Sequence, residues 1–157
     1  MLDLFQAHGV AVVEAQGAHI YGSAPEVEEI AAIDRWLLDQ GGNQVMATDR
    51  LGVASGLAVD PARVAGVLAV PARAIGGGEP GRRFYWFRPE QPRTVHWAGD
   101  PGKPLDLDPA SGALSPRRSF ALWVKTTTGF SDPWNELDLM GARMLRLILL
   151  RGGSPSG

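Results

Sequence analysis

The spacing of apolar positions changes several times along the chain, and each change marks an element. LDLFQAHG (2–9) reads as the last turns of a helix stopped by Gly9, with Leu2, Phe5 and Leu4 inward. VAVVEAQGAHIYG then gives two short strands around a turn at Gln16–Gly17, and the nearly all-apolar first one is expected to be central. Ser23-Ala24-Pro25-Glu26 has capping-box spacing, and Val27, Ile30, Ile33, Trp36 and Leu37 recur at helical intervals until Gly41–Gly42. NQVMATD predicts a strand, PARVAG a short helix after an Asp60–Pro61 start, and GVLAVPARA a further core strand. GGGEPG (76–81) is a turn, so the strand-forming RRFYWFRPE behind it closes a hairpin.

From Pro89 to Thr128 regular period fades, and Pro92, Pro101, Pro104, Pro109 and Pro116 interrupt the chain; connections this long are usually functional or disordered. Within it, residues 118–128 fit two periods. Phe120, Leu122, Val124 and Thr126 share a face as a strand, whereas Phe120, Trp123, Val124 and Thr127 share one as a helix. A capping Ser115 ahead of Pro116 favours the helix, and Thr126-Thr127-Thr128 favours the strand. Both readings stay open, including an element that switches between them. SDPWNELDLMGARMLRLILLR gives a terminal helix, about 133–151, opening at Asp132–Pro133, with apolar residues at 137, 140, 144 and 147. That 3-4-3 spacing fits either an ordinary packed face or the start of a coiled-coil seam. The order of elements predicts an α+β domain, an antiparallel sheet with helices on one side, ending in a flexible tail at 152–157.

Composition narrows the function classes. The 157 residues suit one domain with one core, and no apolar run is long enough to span a membrane. The start lacks a signal peptide's basic and apolar regions, so a cytoplasmic location is expected. The absence of cysteine excludes a disulfide framework, a thiolate metal site and a thiol-linked cofactor in this chain. Charge is sorted: residues 1–79 carry ten acidic and four basic side chains, and 80–125 carry eight basic and four acidic. The basic segment fits an anion, an acidic protein surface or plain solvent.

A catalytic constellation is not legible. His8, His19 and His96 form no ligand spacing, Gly76-Gly77-Gly78 opens no helix, and Ser115, Ser119 and Ser131 lack nucleophile-elbow glycines. No enzyme is expected. The notable feature is a set of aromatic and arginine residues read as lying outside the core: Phe84, Tyr85, Trp86, Phe87, Arg88, Trp97, Arg117, Arg118, Phe120, Trp123 and Trp134. These are interface residue types, or stacking platforms for single-stranded nucleic acid, although the overall acidity disfavours the latter.

YWFRPE, TVHWAGDPGKP, LSPRRSFALW and WNEL, with the earlier NQVMATDRL and AGVLAVPA, resemble in order and spacing the PHY domain of phytochromes, most nearly the bacteriophytochromes. The likeness covers residues 1–151. It implies a GAF-like antiparallel sheet flanked by helices, with a long tongue hairpin, about 88–128, that reaches the bilin pocket of a neighbouring GAF domain. Pro116, Arg117, Ser119 and Phe120 match the family's Pro-Arg-x-Ser-Phe motif, with Arg118 at the variable position. Trp97 and Gly99 match its tryptophan-glycine motif, and Trp134 and Glu136 resemble its Trp-x-Glu motif.

The resemblance implies that the tongue changes from a hairpin to a partly helical form and that the two tryptophan motifs exchange places. It also implies that Arg117 pairs with a GAF aspartate in the red-absorbing state, with Ser119 replacing it in the far-red-absorbing state. Such a receptor carries biliverdin in its GAF domain, forms a homodimer and often ends in a histidine kinase. This chain is expected to hold no chromophore, no metal and no nucleic acid, and to relay a signal. The alternative is a self-contained GAF-like sensor of a small ligand.

Overall fold

The computed structural model describes residues 1–72, 81–91, 93–98 and 122–152. They divide into two compact units, one of Met1–Gln91 with Gly129–Gly157 and one of Pro92–Thr128. The first contains a short 3-10 helix (Leu2–Phe5), β1 (Gly9–Glu14), β2 (Gly17–Gly22), α1 (Val27–Asp39), β3 (Met46–Thr48), α2 (Leu51–Ser55), β4 (Gly66–Ala72), β5 (Arg82–Arg88) and α3 (Glu136–Gly152). Its five strands form one antiparallel sheet in the order β2-β1-β5-β4-β3. The second unit contains β6 (Arg93–Ala98) and β7 (Leu122–Thr127), an antiparallel pair in which Trp97 stands opposite Trp123. Residues 118–121, four of the eleven in the segment with two periods, lie outside the described residues, and Leu122–Thr127 is strand.

The three central strands explain why their sequences read as continuous apolar runs. Alternate side chains enter two separate cores, because the sheet is covered on both faces. Ala11, Val13, Val67, Ala69, Tyr85 and Phe87 meet Ile30, Ile33 and Leu37 of α1 and Leu51 of α2. Val10, Val12, Leu68, Val70, Phe84 and Trp86 meet Phe5 and Ala142, with Trp134, Leu139, Leu145 and Leu149 against them. Helices on one side only is therefore corrected: α1 and α2 lie on one face, the 3-10 helix and α3 on the other. The aromatic run Phe84–Phe87, read from sequence as surface, is wholly buried because it fills both cores at once.

Three local signals resolve differently from the sequence reading. A helix capped by Ser23 would place Ala24, the residue before Pro25, in a disfavoured helical conformation. The box moves three residues on, and the Glu29 carboxylate reaches back to the Glu26 N–H at 2.9 Å. Asp60–Pro61 starts no helix: the Asp60 carboxylate accepts the Ala62 N–H at 3.0 Å in a local turn, and the short helix lies earlier, at Leu51–Ser55. At the N-terminus the chain makes a 3-10 turn ended by Gln6 in the left-handed region, φ 48°, instead of α-helical turns stopped by Gly9.

β4 begins where the return chain crosses it. A Cβ built on Gly66 would stand 2.0 Å from Ser131 Oγ and 2.9 Å from its Cβ, and Ser131 is fully buried. Gly66→Ala is expected to cost about 1–3 kcal/mol through this overlap. An unchanged urea midpoint for the purified variant would contradict the tight crossing.

Candidate functional site

β5 delivers the chain to the rim of the sheet at Arg88, and after the excursion of Pro92–Thr128 the chain returns beside its own point of departure. The Gln91 N–H donates to Phe130 O at 2.8 Å, and the Gly129 N–H donates to the Glu90 carboxylate. Gly129 has φ +81°, which suits glycine at the point where the returning strand turns. The frame holds both roots: the Glu90 N–H bonds Pro61 O and the Ser131 N–H bonds Asp49 O, each at 2.8 Å.

Immediately beneath lies Arg88, a charged residue only 7% exposed. Such burial requires partners for every donor. Nη1 donates to Pro133 O at 2.8 Å and more weakly to Asp132 O at 3.4 Å. Nη2 donates to Phe5 O at 2.7 Å and to the Asp138 carboxylate at 3.3 Å. The guanidinium carbon lies 3.9 Å from the centre of the Trp134 ring, a cation-π contact, and the Trp134 Nε1–H donates to Thr48 O at 3.1 Å. Asp138 completes the start of α3. Its carboxylate accepts the Asn135 N–H at 3.0 Å and its own N–H donates to Asn135 Oδ1 at 2.9 Å, a reciprocal cap one turn after Asp132–Pro133. One planar cation thus ties the chain start, the return segment 132–134 and the first turn of α3 to the end of β5.

A second polar cluster sits on the other face. Arg83 makes a bidentate pair with Asp34 of α1, Nε–Oδ1 2.5 Å and Nη2–Oδ2 2.8 Å, and the Tyr85 hydroxyl donates to the same carboxylate. The hydrogen bond to Asp34 raises the Arg83 pKa against the opposing effect of burial. Burial above all, then the bond to Asp34, pushes the Tyr85 hydroxyl upward, so it remains a neutral donor. The adjoining cavity, lined by Leu37, Leu38, Met46, Ala69, Pro71 and Tyr85 among others, has a volume of about 10 Å³. That is room for about one water. Among the described residues no group of histidine and carboxylate side chains is arranged to hold a metal ion, and no helix is long and apolar enough to cross a membrane.

Of the residues singled out from sequence, Pro116, Arg117, Ser119, Phe120 and Gly99 lie outside the described residues. Trp97 belongs to β6. Trp134 stands against Arg88, and Glu136 is the exposed first residue of α3, in a first turn that it makes acidic together with Asp138. Sequence reasoning placed Arg88 among surface residues and overlooked Asp138. An arginine closing a strand of four aromatics was the available signal, since a run buried on both faces carries its last residue inward as well.

The interior-facing side of α3 runs through Leu139, Ala142, Leu145 and Leu149. The 3-4-3 stripe read from sequence is the opposite side: Leu137, Met140, Met144 and Leu147, with Ile148, are each more than half exposed.

A family model described as "Phytochrome region" matches residues 1–152. Cyanobacterial phytochrome A of a Nostoc species is 34% identical over 155 residues, covering 96% of this chain and 19% of that protein. A bacteriophytochrome of Pseudomonas aeruginosa is 42% identical over 67 residues, 43% of this chain and 9% of that protein. The crystal structure of bacteriophytochrome RpBphP3 from R. palustris matches with a TM-score of 0.71 at 30% identity, covering 98% of this chain and 31% of that one. The photosensory core module of Stigmatella aurantiaca phytochrome gives 0.65 at 32% identity, covering 96% and 29%. The chain spans about a fifth of the length of the Nostoc relative.

Proposed function

The chain belongs to the phytochrome-region, or PHY, family, and from that premise we propose that it relays a light signal within a red/far-red photoreceptor. In this reading the segment 88–128 is the tongue that contacts the bilin-binding GAF domain of the same polypeptide. It changes between hairpin and partly helical forms and passes the change to α3 and onward to an output domain, a histidine kinase being the leading candidate. The observation that supports this best is the route of the chain: β7 leads straight back through the bonds at 129–134 to the first turn of α3.

Biliverdin is proposed for the GAF domain and not for this chain. The cavity behind α1 is about 10 Å³, far too small for a tetrapyrrole, and there is no cysteine to attach one. The same cavity gives no support to a metabolite-sensor reading. The exposed stripe of α3 is suited to pairing with its counterpart in a second copy, and a homodimeric receptor belongs to the proposal. A cytoplasmic location is part of the same proposal.

Within the tongue, Pro116, Arg117, Ser119 and Phe120 are the GAF-facing residues, with Arg117 paired to a carboxylate; Trp97 and Gly99 in the tongue, and Trp134 and Glu136 beyond its return, are the state-dependent anchors. Arg117→Ala in the intact receptor is expected to remove about 2–5 kcal/mol from the state that uses the pair. Absorption spectroscopy should then show disturbed photoconversion or faster dark reversion with the domain still folded. Unchanged photocycle kinetics would remove Arg117 from the mechanism.

A further inference from the structure

The bonds of Arg88 connect segments far apart in sequence through a side chain whose own backbone is fixed. Arg88 lies in β5 opposite Gly66 of β4, and its backbone oxygen accepts the Ala65 N–H at 2.9 Å. Its side chain reaches in two directions. Nη1 holds the carbonyls of Asp132 and Pro133, the residues just past the roots of the excursion. Nη2 holds Phe5 O and the carboxylate of Asp138, which caps α3. Trp134, between these segments, lies on the face of the same cation. A displacement of the return chain at 129–134 must therefore break the Nη1 bonds or draw on the guanidinium that also holds α3.

Resting on the relay reading above, we propose that Arg88 is the positioning residue through which rearrangement of 92–128 reaches α3. The rigid fork is essential to this role: a lysine would keep the charge near Asp138 but could not satisfy the carbonyls and the carboxylate together. Charge alone would leave the return segment joined to α3 only by the chain itself and the cap at Asn135.

Arg88→Lys in the full-length receptor separates the two. Amide exchange is followed in the dark and after red illumination, with photoconversion monitored by absorption. The expected result is a wild-type light-minus-dark difference in both 92–128 and the first turns of α3, and a variant that keeps the first and loses the second. A side chain that merely stabilises the fold would raise exchange in both states and leave the difference in place. Val12→Ala, which weakens the same core without touching the node, serves as that control. Retention of both differences by Arg88→Lys overturns the inference and leaves the relay reading standing. A wild type with no light-dependent change in α3 overturns the relay reading and the inference with it. Should Arg88→Lys fail to fold, Asp138→Asn, which weakens the α3 end alone, is judged by the same outcomes.

Discussion

Arg88→Met is expected to lower the stability of the chain by about 3–5 kcal/mol, the usual result of removing one partner from a buried ion pair. The side chains of Arg88 and Asp138 are 9% and 12% exposed, so water cannot take the arginine's place at the carboxylate without opening the start of α3. The carbonyls of Phe5 and Pro133 lose their donors at the same time, and Trp134 loses the cation on its ring. Urea unfolding should show a lower midpoint at an unchanged slope. A loss below about 1 kcal/mol would mean that the contacts are those of a solvated surface pair.

Trp86→Ala should be comparably severe, about 3–5 kcal/mol, for a different reason. Trp86 is fully buried at the centre of the face covered by α3. Phe5 meets it edge-on at 4.8 Å, Phe84 stacks at 6.2 Å, and its Nε1–H donates to Met1 O at 3.1 Å. Alanine leaves a cavity and frees the 3-10 helix from the sheet. For a domain of this size the melting temperature should fall by about 6–20 °C. A smaller fall, with Phe5 still packed, would mean that the core closes over the missing ring. Trp86→Phe, which keeps most of the apolar volume and loses the hydrogen bond with part of the ring, should be milder.

The two large effects arise at neighbouring positions of β5, yet the sequence reveals them unequally. Four aromatics in a row imply a strand, and the hairpin with β4 was legible from the Gly/Pro-rich stretch between them. That the run is interior was not legible, because an aromatic cluster beside arginines has the same composition as an interface. The partners of Arg88 lie at positions 5, 132–134 and 138, and no local period connects them to position 88. α3 presents the opposite difficulty: leucine, methionine and isoleucine occur around most of its circumference, so spacing fits either face. The α3 side facing the sheet is decided by the fit of Ala142 and the leucines against Val10, Leu68 and Trp86. The short helix at Leu51–Ser55 lacks an N-terminal capping residue and could not be read, whereas Asp60–Pro61 has a helix signal and forms a turn.

The hydrogen bond from the Gln91 N–H to Phe130 O has a consequence for how this domain can vary. In polymer terms it closes a loop whose two ends are already anchored to the frame, at Pro61 on one side and Asp49 on the other. Each doubling of such a loop's length adds only about 0.6 kcal/mol of closure entropy. The frame is a socket: the pairing of β1, β4 and β5 does not depend on how much chain is carried between the roots, so that segment can lengthen, shorten or change its sequence while the sheet keeps its register.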